Sequence, residues 1–278
     1  MTPLDVFWIF FMLSALQPLF RQRTLELMRM RKIAQLERLR GTRVILMVHR
    51  EETMRLLGFP VMRYIDINDS EEILRAIHLT DDDVPLDLVL HTPGGLVVAA
   101  LQVARALRDR RAKVTVFVPH YAMSGGTLIA MAADRIVMSP HAALGPVDPQ
   151  LGKGAAASFI KVLDQKPISE IEDETVMLAD MGGKAIAQVK SAAQYLLQRH
   201  MAADEAGALA EKMATGVWTH DYPIGPDEAR TMGLPISTDM PRQVLELLAL
   251  YPQPVRSHAG GVEYLPVPRQ KQLESSGH

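Results

Sequence analysis

Hydrophobic and polar positions divide the chain into unlike stretches. From Val6 to Phe20, fifteen successive residues carry no charged side chain. As a helix this run rises about 22 Å, against a hydrocarbon core of roughly 30 Å. The first four residues also lack charged side chains, so a span is reached if Asp5 lies near the interface. No basic segment precedes the run and no small-x-small site follows it, which argues against a cleaved secretory signal. Between Arg21 and Arg43, eight basic side chains face two acidic ones. Leu25, Met28, Ile33, Leu36 and Leu39 recur there at near-helical spacing. The pattern predicts a membrane anchor and a basic amphipathic helix over residues 1–41. The positive flank keeps the following chain in the cytoplasm and attracts anionic headgroups.

From Thr42 the pattern alternates between strand and helix. Val44 to Val48, Leu86 to Leu90, Val114 to Val118 and Arg135 to Met138 read as buried strands, with Tyr64 to Ile67 a shorter one and Arg50 to Thr53 a polar exit from the first. Helices are predicted from a Ser70 N-cap through His78, over Leu96 to Arg108 and over Gly125 to Ala133. Alternation of this kind implies βαβ units and a mainly parallel sheet. His141 to Gln150 reads as a turn-rich loop. Gly152 to Ala157 lacks the preceding strand that a dinucleotide fingerprint requires. Asp173 to Arg199 predicts one long helix, weakened by Gly182 and Gly183. Ala203 to Met213, Pro226 to Met232 and Pro241 to Leu250 predict three more. The α/β body spans residues 42–252, and a flexible tail rich in turn formers covers 253–278.

Composition narrows the chemistry. The 278 residues are 48% hydrophobic and 22% charged, with a formal net charge of −2, which gives no global reason to expect a nucleic-acid partner. The absence of cysteine excludes disulfides, thiolate zinc sites and a cysteine nucleophile. No residue pattern points to a cofactor or a metal.

Two strand–glycine–helix corners carry the candidate chemistry. One is Thr92-Pro93-Gly94-Gly95 after a strand; the other is Ser124-Gly125-Gly126, also between strand and helix. In an open α/β sheet both corners lie at the carboxyl edge of the strands and face a common crevice. Ser124 supplies a hydroxyl at a sharp turn, and the glycines let backbone N–H donors approach a developing oxyanion. Ala122 stands where a nucleophile elbow carries its first glycine. Further along, His220 and Asp221 form an adjacent acid–base pair in a loop.

Taken together, His91 to Gly95, Tyr121 to Thr127, Ala133 to Met138, Leu144 to Gln150 and Trp218 to Ile224 resemble the ClpP/crotonase superfamily. The resemblance is closest to its serine dehydrogenase proteinase branch, related to signal peptide peptidase A and NfeD-type proteases. It implies an α/β spiral of ββα units behind an N-terminal anchor helix, and a membrane-anchored serine endopeptidase acting on peptides or proteins. Ser124 falls on the nucleophile, Gly94 and Gly95 with Gly125 on the oxyanion hole, and Asp221 on the triad acid. Pro146 stands near the place where Clp subunits carry their histidine. The general base is therefore sought among Lys184, Lys190, His220 and His141. Lys184, between small and apolar neighbours, is the favoured of the two lysines, because burial lowers a lysine pKa. Superfamily relatives commonly assemble, which implies a homo-oligomer. The same fold also allows a crotonase-like acyl-CoA enzyme using the paired N–H donors, or a catalytically degenerate membrane scaffold.

Overall fold

The computed structural model describes residues 3–49, 63–152 and 154–251. Its first half runs α1 (Pro3–Arg40), β1 (Arg43–Val48), α2 (Ile67–His78), β2 (Leu86–His91), α3 (Val97–Arg108), β3 (Val114–Val118), β4 (Tyr121–Ala122), α4 (Gly125–Met131) and β5 (Arg135–Met138). The second half continues with β6 (Ala143–Leu144), α5 (Ala156–Gln165), α6 (Asp173–Leu197), α7 (Ala203–Ala214), α8 (Pro226–Thr231), β7 (Ile236–Ser237) and α9 (Arg242–Leu248). The expected polar exit at Arg50 to Thr53, Lys153 and the expected 253–278 tail lie outside the described residues.

The strands β1-β2-β3-β5-β7 form one sheet in that order, with every pair parallel. Helices α2, α3 and α4 make the crossovers, as parallel pairing requires. All six positions of β2 are buried, so both faces of the sheet are covered. Alternation along the strands assigns the faces. Leu86, Leu88, Leu90, Val114, Val116 and Val118 enter the larger core with the α3, α4, α6 and α7 apolar residues. Val89 and Phe117 turn the other way and meet Leu36 of α1 and Val244 and Leu247 of α9.

Several local expectations differ from the fold. Tyr64 to Ile67 is not a strand; Ile65 makes a single parallel bridge to Gly95. The next helix starts earlier than Ser70. Asp66 accepts from the Asp69 N–H at 3.0 Å while Asp69 accepts from the Asp66 N–H at 2.9 Å, a reciprocal cap that satisfies two orphan donors. Ser70 lies inside the helix and donates to the Ile67 carbonyl at 2.8 Å. α5 and the edge strand β7 were not expected at all.

α1 is a single 38-residue helix. Among the described residues no helix is long and apolar enough to cross a membrane, so the expected transmembrane segment is not supported. Phe7, Trp8 and Phe11 are exposed and touch one another, with centroids 5.7 to 6.4 Å apart. Part of the basic cluster docks the helix onto the body. Arg29 donates to the Leu250 carbonyl at 3.0 Å and lies 4.0 Å from the Tyr251 ring centroid. Lys32 pairs with Glu246 at 2.7 Å. Arg40 is bound by Asp87, a buried carboxylate that also accepts from the Thr42 hydroxyl at 2.8 Å.

Candidate active site

A narrow ribbon beyond the sheet edge assembles the site. Thr92 bridges Ala122 in parallel, β4 pairs with β6 in parallel, and Leu144 bridges Ile224 in antiparallel fashion. Four chain segments therefore lie side by side at the carboxyl end of the main strands. Ser124 is two residues beyond Ala122, and Gly94 two residues beyond Thr92.

Ser124 is strained. At φ 50° and ψ −116° it alone among the described non-glycine residues has a positive φ. Its carbonyl accepts from the Thr127 and Leu128 N–H groups at 2.9 and 3.2 Å, which starts α4. Its hydroxyl makes no capping bond to that helix, and the residue is half-buried. A serine in this turn is held by its surroundings rather than by preference.

The two diglycine corners meet. A Cβ added to Gly94, whose φ is +108°, would stand 2.7 Å from the Ser124 Cβ and 3.3 Å from the Gly125 nitrogen. At Gly95, with φ +154°, a Cβ would sit 2.3 Å from Ile65 backbone atoms. Only glycine allows these approaches. Around Gly95 the Ile65 N–H donates to the Gly94 carbonyl at 2.7 Å and the Leu96 N–H donates to the Ile65 carbonyl at 2.8 Å. In such a parallel bridge the central residue's own N–H points away from the partner. The Gly95 nitrogen is 3.7 Å from the ideal Cβ of Gly125, so that donor lies on the Ser124 side. Gly125 opens α4, where N–H groups have no intrahelical acceptor. The Gly94 N–H is already committed, donating to Thr92 Oγ1 at 3.2 Å. Of the three glycines expected at an oxyanion hole, Gly95 and Gly125 lie beside one another next to Ser124, and Gly94 has its N–H on Thr92.

The candidate bases are placed very differently. Lys184, expected in a small apolar setting, is 69% exposed and pairs with Asp180 at 2.5 Å. Its glycine neighbours do not enclose it: Gly183 faces open space, and Gly182 packs instead on Ala156. Lys190 pairs with Glu211 on α7 and is 41% exposed. Both lysines are open to solvent and paired with carboxylates. His141 and Asp221 are also exposed.

His220 does not use Asp221 as its partner. Its Nδ1 lies 2.8 Å from Oδ1 of Asp148, a carboxylate that is 3% exposed and whose other oxygen accepts from Gln150 at 2.6 Å. The hydrogen bond to Asp148 holds the His220 imidazole above its ordinary range, against the opposite pull of burial. The pair continues the antiparallel register, four residues on from Leu144 and four back from Ile224. Asp148 was missed by sequence reasoning; an acid isolated between Val147 and Pro149 in an apolar turn is the only signal it left.

No three His, Cys, Asp or Glu side chains among the described residues gather as metal ligands. A groove of about 880 Å³ between α3 and α6, lined by Leu101, Arg105, Gln188 and Tyr195 among others, contains none of the candidate site residues.

Comparison with known proteins places these features in context. The family described as ClpP-like SDH-type serine proteinase matches residues 2–277. An uncharacterized protein of Methanocaldococcus jannaschii is 46% identical over 272 residues, covering 98% of this chain and 92% of its own. Membrane protein NfeD1b of Bacillus subtilis is 36% identical over 99 residues, 34% of this chain and 21% of its own. Among solved structures, a mutant of the 1510-N membrane-bound stomatin-specific protease gives a TM-score of 0.46 at 20% identity, covering 67% of this chain and 79% of that one.

Proposed function

The chain belongs to the ClpP-like SDH-type serine proteinases, and from that premise we propose that it hydrolyses peptide bonds through Ser124, with His220 as general base. Ser124 Oγ attacks the scissile carbonyl and passes its proton to the imidazole, which returns it to the departing amine as the C–N bond breaks and the acyl-enzyme forms. The Gly95 and Gly125 N–H groups stabilise the oxyanion, and water then cleaves the acyl-enzyme. Asp148 orients the ring and stabilises its charged form. The observation that carries this reading is the contact between corners, 2.7 Å from the ideal Gly94 Cβ to the Ser124 Cβ. It brings a free-standing hydroxyl against donors on a glycine-only backbone.

His220 is carried on a segment two strands away from Ser124, roughly 10 Å at the backbone. Catalytic hydrogen bonds often tighten only around bound substrate. Lys184 and Lys190 serve as bases only if assembly or substrate strips them of water and of their acidic partners. Ser124→Ala should abolish both peptide hydrolysis and covalent labelling by a serine-directed phosphonate. Unchanged turnover in that variant refutes the mechanism.

We assign the N-terminal part of α1 to a membrane surface, with the catalytic body in the cytoplasm. Exposed Phe7, Trp8 and Phe11 suit the headgroup level, where aromatic rings are favoured. NfeD1b, a relative over part of the chain, is itself a membrane protein. A homo-oligomer is supported by Ile168, Met177 and Met181, which leave apolar surface exposed near the start of α6 that a second copy would cover.

A further inference from the structure

Behind the Pro93 corner runs a chain of polar side chains that proton transfer at Ser124 does not use. His49 follows β1, is 6% exposed, and donates its backbone N–H to the His91 carbonyl at 2.7 Å. Its Nδ1 is 2.8 Å from Thr92 Oγ1, and its Nε2 is 3.2 Å from Oδ2 of Asp69. Thr92 is fully buried and its hydroxyl oxygen receives the Gly94 N–H at 3.2 Å. Asp69 is fixed at the other end by its reciprocal cap with Asp66.

Asp69 is the acceptor at one end of this chain. Burial alone pushes the Asp69 carboxyl up, but the hydrogen bond from His49, that from the Asp66 N–H and nearby positive charge more than offset it, leaving the group below its usual range. An ionised Asp69 accepts the proton on His49 Nε2. His49 Nδ1 faces Thr92 Oγ1, and the Thr92 hydroxyl lies 3.4 Å from the Gly94 carbonyl, to which it donates. Thr92 is left with a lone pair for the Gly94 N–H. The Gly94 peptide is held by the last link.

We propose that His49, through Thr92, is a positioning residue that fixes the Pro93–Gly95 corner so that the Gly95 N–H meets the oxyanion formed at Ser124. The inference rests on the peptidase reading of Ser124. The Gly94 N–H is the part of the corner that could rotate, because the Gly94 carbonyl and the Leu96 N–H are already tied to Ile65. Thr92 is also the strap to the serine side: its carbonyl accepts from the Met123 N–H at 3.0 Å, and its Cγ2 lies 2.6 Å from the ideal Cβ of Gly126. Releasing the chain therefore disturbs the donor that serves the transition state and leaves the ground-state contacts of a bound peptide in place.

The test compares Thr92→Val, Thr92→Ser and His49→Phe on an internally quenched peptide selected from a random library, with phosphonate labelling of Ser124 and thermal melting measured in parallel. Thr92→Val keeps the shape and removes the hydroxyl. Thr92→Val and His49→Phe should lower kcat about tenfold to a hundredfold, the scale of a misplaced catalytic group, while KM stays within about twofold. Thr92→Ser should retain at least half of wild-type kcat. Equal losses in kcat and KM affinity, or failure of serine to rescue, overturns the inference while Ser124 still labels. A wild type whose Ser124 never labels overturns the peptidase reading and this inference together.

Discussion

Gly94→Ala tests the meeting of the two corners most directly. The added methyl would lie 2.7 Å from the Ser124 Cβ and 3.0 Å from the Met123 carbonyl oxygen. Ordinary contact begins near 3.4 Å, so the corners must part by about 0.7 Å. Backbone strain adds to this, because the Gly94 φ of +108° lies where side chains are rarely accommodated. A left-handed residue costs about 1–2 kcal/mol and an overfilled site about 1–3 kcal/mol, giving a destabilisation of about 3 kcal/mol. For a body of this size each kcal/mol shifts Tm by about 2–4 °C, so the variant should melt about 6–12 °C lower. The parting also moves Ser124 relative to the Gly95 donor, and labelling should slow by about 100-fold. Gly183→Ala is the control: it stands within α6 with nothing within 4 Å of its ideal Cβ and should gain about 0.5–1 kcal/mol. Scanning fluorimetry and timed phosphonate labelling read both quantities. A Gly94→Ala protein that melts and labels like the wild type refutes the convergence on which the site is built.

His220 gives a pH prediction whose two signs oppose. As base it must be neutral, so kcat/KM should fall on the acid side with a midpoint above the ordinary histidine value, and Asp148→Asn should move that midpoint down; a limb that does not move refutes the pairing. The same raised pKa means that the His220–Asp148 bond adds stability below the unfolded histidine value and loses it as pH rises through the folded one, so Tm measured across that window should decline toward alkaline pH more in the wild type than in Asp148→Asn. Lys184→Ala and Lys190→Ala, each removing one partner of an exposed ion pair worth little, should keep kcat/KM within about twofold; a loss beyond 100-fold in either would return the base to a lysine. Deleting residues 1–20 should abolish flotation with anionic phospholipid vesicles while leaving Ser124 labelling intact, and equal flotation of both proteins would refute the membrane assignment.

The sheet was readable because its strands are apolar on both faces, and both glycine corners were readable because strained turns leave few residue choices. What escaped the sequence was settled by contacts far along the chain. Ser70 looks like a helix cap, yet Asp66 caps α2, because Ile65 is drawn to Gly95 and the chain must turn immediately after it. Lys184 has small neighbours in sequence, but on a helix those neighbours lie around the axis, and the face it occupies is open. His220 sits beside Asp221 in sequence, whereas its observed partner is 72 residues away and comes into register only through the Leu144–Ile224 bridge. The basic stretch after Phe20 reads as a lipid-facing cluster, and charge alone could not reveal that Glu246, Asp87 and the Leu250 carbonyl take part of it.

Two threonines tie one part of the site together. Strain of about 1–3 kcal/mol at a residue such as Ser124 persists only where the surroundings over-determine it. Thr92 supplies one constraint, through Met123 and Gly126. Thr127 supplies the other, donating to the Ala122 carbonyl at 2.8 Å and accepting from the Gly145 N–H at 3.0 Å. Ser124, the glycines beside it and the start of the 145–148 segment are thus tied together. His220, the proposed base, is tied differently. Its segment is joined to the others by the Leu144–Ile224 bridge and the Asp148 hydrogen bond, and is stiffened internally by the stacked rings of Trp218 and Tyr222, 5.3 Å apart. If His220 is the base, its approach to the hydroxyl involves residues 217–223, which are also held by Tyr222 on Glu228 and by Lys212 over the Trp218 ring.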